Sequence, residues 1–85
     1  MQENPTRIEG LDIDETEDGY IIYEPDKERV HYLNASAAAI LELCTGTNSP
    51  AAIADVLREA YQLAEPPTEM VETILAQMKD EGLLL

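Results

Sequence analysis

The sequence contains no tryptophan and no phenylalanine, and four tyrosines supply all of its aromatic side chains. A core must therefore be built mainly from aliphatic residues. The chain has a single cysteine, which excludes an intramolecular disulfide and points to no oxidising compartment. Its 85 residues suffice for one domain with a modest core, because a chain of this size buries only about 60 to 65% of its unfolded surface.

Basic residues are also scarce. Five lysines and arginines stand against 18 acidic residues, and the formal net charge is −13. This charge repels phosphate backbones and anionic membranes, so neither nucleic acid nor a membrane is an expected partner. Residues 1–7 lack the apolar core of an export signal, and no stretch approaches the roughly 20 apolar residues of a membrane span. We therefore expect a cytoplasmic protein.

The first half of the chain has the pattern of a small sheet. Residues 1–10 are polar and predict a flexible N-terminal lead-in, followed by a single domain over residues 11–85. Apolar and acidic residues alternate over 11–14, which is typical of a half-buried strand that ends at an Asp-Gly turn. Residues 20–23 and 29–33 are rich in β-branched and aromatic side chains, with a proline-containing turn between them. This pattern predicts a three-stranded antiparallel sheet.

The second half has the spacing of helices. Asn34 is an expected N-cap for a helix over residues 35–44, whose apolar residues recur at i, i+3, i+4 and i+7. Ser49 precedes a proline and is expected to cap a second helix. After two consecutive prolines, Thr68 is expected to cap a third helix that ends at Gly82. The predicted fold class is therefore α+β, a three-stranded antiparallel sheet followed by three helices, as in winged-helix domains.

No set of residues in the sequence predicts catalysis, a cofactor or a metal. Asp12 and Asp14 begin like a calcium-binding loop, but the glycine and glutamate needed at its sixth and twelfth positions are absent. Cys44 belongs to the apolar stripe of the first helix and is expected to be buried rather than nucleophilic. His31 is the only histidine and is expected to face solvent from a strand. We therefore predict a protein that is not an enzyme.

Two other classes share the size of this chain. A winged-helix regulator of nucleic acid would need basic residues on its third helix, where only Lys79 is present among several acidic side chains. An acyl-carrier-type protein would need a serine in an Asp-Ser-Leu context, whereas Ser36 lies between two alanines. The strand pattern over residues 11–33 also contradicts an all-helical carrier. Both classes are kept as alternatives.

The last predicted strand has two different faces and an edge. Val30 and Tyr32 point to one face, whereas Arg29, His31 and Leu33 point to the other. Because no further strand follows, one margin of this strand is expected to remain unpaired. Such an edge can bind a foreign strand, or it can pair with a second copy of the chain in a homodimer.

Several segments occur here in the order of a known family. They are the strand at residues 20–23, the Leu-Asn step at 33–34, the alanine-rich helix at 37–43 and the Glu-Gly-Leu-Leu ending at 81–84. In this succession the chain resembles the PqqD-like family over about residues 11–85. These proteins are RiPP recognition elements, which bind precursor peptides during the maturation of bacterial ribosomal peptides.

The resemblance implies that the leader segment of a precursor peptide adds as an antiparallel strand to the third strand, beside the third helix. The bound peptide would then be presented to a maturation enzyme, such as a radical SAM protein or another RiPP-modifying enzyme. Val71 and Leu75 are expected to lie more in the core, with Ile74 and Met78 nearer the ligand. By position, the implied peptide-binding residues are Arg29, Val30, His31, Tyr32, Leu33, Val71, Ile74, Leu75, Met78 and Lys79.

Overall fold

The structure is a computed structural model that describes residues 4–85. Its elements are β1 (Asp12–Thr16), β2 (Gly19–Glu24), β3 (Arg29–Asn34), α1 (Ala35–Glu42), α2 (Pro50–Ala60) and α3 (Thr68–Asp80). The predicted α+β order, three strands and then three helices, is confirmed. The strands also contradict the all-helical bundle of an acyl-carrier-type protein. Within the described range, no helix has the length and apolar character needed to cross a membrane.

The sheet is an antiparallel meander in the order β1-β2-β3. β1 runs two residues beyond the predicted strand, to Thr16, so the turn to β2 consists of Glu17 and Asp18, and Thr16 pairs with Gly19. Gly19 has a φ of +146°, and a Cβ there would lie 1.9 Å from the carbonyl oxygen of Leu33. Only glycine allows this close approach between β2 and β3.

The inner face of the sheet packs against the helices. Tyr20 and Ile22 of β2 are 9% and 0% exposed, and Leu33 of β3 packs beside them. Residues at alternate positions, such as Val30 and Tyr32, are exposed on the outer face, as the period of two predicts. The buried core cluster consists of Tyr20, Ile22, Ala38, Ile40, Leu41, Cys44, Ile53, Ala54, Leu57, Val71, Met78, Leu83 and Leu84.

Two of the three expected helix caps are confirmed. The side chains of Asn34 and Ser49 accept hydrogen bonds from the backbone N–H groups of the third residue beyond each, at 2.9 and 3.1 Å. The predicted cap at Thr68 is wrong, because Thr68 is the first residue of α3 and Pro67 precedes it as the N-cap. The carbonyl of Pro67 already accepts the helical bond from Val71, so the helix begins one residue earlier than the threonine pattern indicates.

The segment that follows α1 belongs to the core, although the helix itself is shorter than predicted. α1 ends at Glu42 and has Leu43 as its C-cap, whereas the sequence predicts helix to Cys44. Cys44 is 1% exposed, which confirms its expected place among the core residues. Burial raises the pKa of its thiol to about 11, and the nearby Arg7 opposes this shift.

The N-terminal segment, predicted as a flexible lead-in over residues 1–10, makes backbone hydrogen bonds to the rest of the chain. The N–H groups of Arg7 and Ile8 donate to the carbonyls of Cys44 and Leu83, both at 3.0 Å. This part of the lead-in therefore lies between the end of α1 and the C-terminal residues, and its flexibility stays a prediction. Its first three residues lie outside the described part of the chain.

Candidate functional site

The outer margin of β3 carries backbone groups that no strand of the described chain pairs with. Antiparallel strands alternate between hydrogen-bonded and non-hydrogen-bonded pairs. The carbonyl of Leu33 points towards β2, as its close approach to Gly19 shows. The backbone groups of Val30 and Tyr32 therefore point away from the sheet. They present two N–H and two C=O groups to a foreign strand.

A groove of about 190 Å³ lies beside this margin, between β3 and α3. Ile74, Gln77 and Met78 of α3 face it together with the C-cap Glu81, because residues three and four apart share one side of a helix. Apolar side chains form its floor, and Gln77 and Glu81 add polar side chains on the side of α3. The complete lining is Tyr32, Leu33, Asn34, Ala37, Ile74, Gln77, Met78 and Glu81.

The structure places four of the predicted site residues around this groove, namely Tyr32, Leu33, Ile74 and Met78. Met78 is only 1% exposed, so it is a core residue at the floor of the groove, and the expectation that it lies nearer the ligand stays a prediction. Val71 is 0% exposed and belongs to the core as expected, so its side chain has no surface to offer a peptide. Among the apolar residues of α3, Ile74 is therefore the accessible one in the groove.

Leu75 and Lys79 lie elsewhere. Both line a separate cavity of about 480 Å³ together with Pro50 and Leu84, on the side of α3 that faces α2. One residue of helix corresponds to about 100° of rotation, so Leu75 faces a different neighbour from Ile74. The expectation that Leu75 is a core residue is met only in part, because it is half-buried. The structure does not bring Leu75 and Lys79 to the groove beside β3.

His31 is buried rather than solvent-facing, so the sequence prediction for this residue is wrong. Its side chain is 9% exposed, with Nε2 at 2.5 Å from Oε1 of Glu24 and Nδ1 at 3.5 Å from Oε2 of Glu81. The reason is that the inner face of β3 is covered near the C-terminal end of α3. His31 therefore contacts Glu24 and Glu81 on the inner face of the sheet and does not present its side chain to a ligand at the edge.

Arg29 connects the start of β3 to the end of α3. Its Nη2 donates to the backbone carbonyl of Glu81 at 2.8 Å and lies 3.4 Å from Oε1 of Glu24. Lys27 adds a second positive charge, 3.7 Å from the other oxygen of Glu24. The hydrogen bond from His31 holds the pKa of Glu24 below its ordinary value, and the charges of Lys27 and Arg29 act in the same direction, against the effect of burial. This charged cluster joins the two walls of the groove at one end.

Sequence reasoning missed several residues of this region. Gln77 and Glu81 follow Ile74 at helical spacing, so the spacing alone could have placed them on the groove side of α3. Glu24 lies at an inward position of β2, two residues after Ile22, and an inward glutamate near an arginine signals a buried ion pair. No sequence signal marks Ala37 as part of the groove, because its position depends on how α1 packs against α3.

Other titratable groups are held in their protonated forms. The hydroxyl of Tyr20 donates to Glu42 at 2.7 Å, and this hydrogen bond raises the pKa of Tyr20 to about 12. The buried thiol of Cys44 is likewise protonated at neutral pH. Among residues 4–85, no cluster of three or more histidine, cysteine or acidic side chains could hold a metal ion. The arrangement can supply backbone hydrogen bonds and a groove lined by both apolar and polar side chains.

Comparisons with known proteins agree with this geometry. The family model of coenzyme PQQ synthesis protein D (PqqD) matches residues 19–84. The structure resembles lasso peptide synthetase B1 complexed with the leader peptide, with a TM-score of 0.78, 20% identity, and coverage of 96% of this chain and 98% of that chain. It also resembles the PqqD truncation of Methylobacterium extorquens PqqCD, a stand-alone RiPP recognition element, with a TM-score of 0.71, 26% identity, and coverage of 95% and 87%. No curated protein sequence matches the chain.

Proposed function

The chain belongs to the PqqD family, and from this membership we propose that it binds the leader segment of a ribosomally made precursor peptide and presents it to a modifying enzyme. The observation that carries the proposal is the unpaired margin of β3 beside the groove of α3. A peptide strand added there would extend the sheet, which is the mode of recognition called β-augmentation.

The magnitudes indicate how the affinity would be divided. A peptide strand could form four backbone hydrogen bonds with Val30 and Tyr32, each with a net contribution of about 1 kcal/mol. A micromolar complex needs about 8 kcal/mol, so the backbone alone is insufficient. Side chains must contribute the remainder, and alternate residues of the peptide would point into the groove beside Ile74. Backbone pairing would therefore set the register, and the groove would select the leader sequence.

The chemistry would belong to the partner enzyme. We propose that the protein itself is not a catalyst, and the protonated Tyr20 and Cys44 support this because neither provides a nucleophile at neutral pH. A radical SAM protein or another RiPP-modifying enzyme is the proposed partner, in the cytoplasm where the precursor is made. Binding the leader to a rigid edge would raise the effective concentration of the peptide near that enzyme.

The decisive experiment removes one outward N–H group. Val30→Pro should weaken binding of a synthetic leader peptide by about tenfold or more. Titration calorimetry measures this affinity. Glu15→Pro is the matched control. Glu15 of β1 pairs with Tyr20 of β2, and the backbone groups of Tyr20 point towards β3 rather than towards β1. The N–H of Glu15 therefore points away from β2, at the opposite margin of the sheet.

Both proline variants should keep the circular dichroism spectrum of the native protein. Unchanged leader affinity in folded Val30→Pro, or an equal loss in Glu15→Pro, would contradict binding at the β3 margin. A second copy of this chain is the other proposed occupant of the same edge. Sedimentation of the protein with and without leader tests it, because a dimer through β3 would dissociate as peptide binds.

A further inference from the structure

The outer face of the sheet carries a cluster of apolar side chains, Ile21, Tyr23, Val30 and Tyr32, which we name the outer apolar patch. Tyr23, Val30 and Tyr32 are 41%, 47% and 76% exposed. Tyr23 pairs with Val30, and Ile21 pairs with Tyr32, so the four side chains form one continuous block across β2 and β3. The helices contact the sheet on its opposite face.

The fold itself does not require this patch. An antiparallel sheet with one solvated face normally directs polar side chains outward, and β1 does so with Asp12 and Asp14. β2 and β3 instead have apolar residues at the outward positions. A clustered apolar surface beside charged residues is typical of a site where another protein binds.

A bound leader would cover only half of the patch. A peptide strand on the margin of β3 lies about 5 Å from Val30 and Tyr32, and its outward side chains would contact them. Ile21 and Tyr23 belong to the next strand, about 10 Å from the peptide. The β2 half of the patch therefore remains exposed when the peptide is in place.

We propose that the outer apolar patch binds the enzyme that modifies the peptide, through a protein surface with an apolar centre and lysine or arginine side chains at one side. This inference rests on the proposed function. Asp12 pairs with Tyr23 and Asp14 with Ile21, so two carboxylates border the patch directly. A basic partner surface complements them, whereas the same patch of a second copy would bring its own Asp12 and Asp14 carboxylates against them.

The position of the patch also couples the two ligands. Val30 and Tyr32 present their backbone to the peptide strand and their side chains to the outer face. An enzyme on the patch would therefore touch the outward side chains of the bound leader, and each ligand would strengthen the binding of the other by the same factor. The patch directs the enzyme to the side of the sheet opposite the helices.

Tyr23→Lys tests the proposal, because Tyr23 lies on the patch but away from the peptide. A purified RiPP-modifying enzyme that processes the bound leader should bind this variant at least about tenfold more weakly than the wild type. Its leader affinity should stay within about twofold of the wild type. Tyr61→Lys is the matched control at the end of α2, where Tyr61 is 48% exposed, and it should change neither affinity. Tyr23→Thr provides a second variant if the lysine disturbs folding, because threonine favours strands.

The acidic border has a test of its own. Asp12→Asn combined with Asp14→Asn should reduce the salt dependence of enzyme binding and leave leader binding unchanged. Wild-type enzyme affinity in folded Tyr23→Lys and Tyr23→Thr would overturn the proposal. If Tyr23→Lys lost leader affinity as much as enzyme affinity, the patch would be assigned to the peptide and the proposal would also be overturned. A wild-type dimer that Tyr23→Lys dissociates would overturn it as well, because the patch would then bind a second copy. Failure of the proposed function is distinct, since the wild type would then not bind the leader at all.

Discussion

Nε2 of His31 lies 2.5 Å from Oε1 of Glu24, and both residues are buried on the inner face of the sheet. His31 pairs with Ile22, so its contact with Glu24 is a diagonal one between neighbouring strands. The same histidine also approaches Glu81 at the end of α3. The pair therefore connects the hairpin of β2 and β3 with the helix that forms the other wall of the groove.

The first prediction concerns the stability that this contact provides. Glu24→Gln should lower the free energy of unfolding at neutral pH by about 1–3 kcal/mol. The substitution removes the negative charge of the buried acceptor, and this weakens its hydrogen bonds and its attraction to Arg29 and Lys27. Urea denaturation followed by circular dichroism measures the change. Asp55→Gln is the control, since the ion pair of Asp55 with Arg58 is exposed on α2 and contributes only tenths of a kcal/mol. Equal stability of Glu24→Gln and the wild type would contradict a structural role for Glu24.

The second prediction is a pH dependence. The pKa of Glu24 in the folded protein is below its ordinary value of 4.5, so the unfolded chain binds this proton more tightly than the native state does. The stabilisation is therefore complete above pH 4.5 and is lost as the pH falls through the native pKa. Unfolding free energies measured from about pH 6 to pH 3 should decline more steeply for the wild type than for Glu24→Gln. Parallel declines would show that other carboxylates account for the acid sensitivity.

The third prediction separates the two sides of α3. Ile74→Ala should weaken leader binding by about tenfold, because the lost side chain removes roughly 1–2 kcal/mol of apolar contact from the groove. Leu75→Ala is the neighbouring control, since Leu75 is also half-buried but lines the cavity beside α2. Calorimetric titration of both variants with the same synthetic leader compares them. A larger loss for Leu75→Ala would place the peptide on the other side of the helix.

The fourth prediction concerns the tight approach of two strands. Gly19→Ala should destabilise the protein by more than about 3 kcal/mol or prevent folding, because its Cβ would overlap the carbonyl of Leu33. Gly10→Ala is the control. Gly10 has a φ of +83° but nothing within 4 Å of its Cβ position, so only backbone strain of about 1–2 kcal/mol is expected. Thermal unfolding measured by circular dichroism distinguishes the two variants, and similar melting temperatures would disprove the overlap.

The fifth prediction follows from the burial of the single thiol. Cys44 is 1% exposed and has a pKa raised to about 11, so its thiolate fraction and its accessibility are both low at pH 8. The native protein should react with an aromatic disulfide reagent at least about 100-fold more slowly than the protein unfolded in guanidinium. Absorbance of the released thiolate measures both rates. Rapid reaction of the native protein would show that the end of α1 opens readily.

Much of the fold follows from local sequence patterns. The two-residue period of a strand predicts Val30 and Tyr32 on one face and His31 on the other, and the burial of His31 alone among the three confirms that division. The caps at Asn34 and Ser49 were predictable because each is a bond between residues three apart. The wrong N-cap of α3 also has a local cause. Pro67 and Thr68 are both compatible with the N-cap position, and the sequence pattern does not distinguish between them.

The sequence alone determined the elements and their order, because each depends on residues that are neighbours along the chain. The unpaired margin of β3 also requires that no distant segment pairs with it, which the sheet order of the structure shows. Only the tertiary structure decided that His31 is covered, that Ile74 rather than Leu75 reaches the groove, and that Arg7 and Ile8 bond to Cys44 and Leu83. These outcomes depend on contacts between distant segments, such as the bond from Arg29 to Glu81 across 52 positions. Packing between such segments determines which face of a helix or strand is buried, and the periodicity of the sequence within one element does not show which segment will cover it.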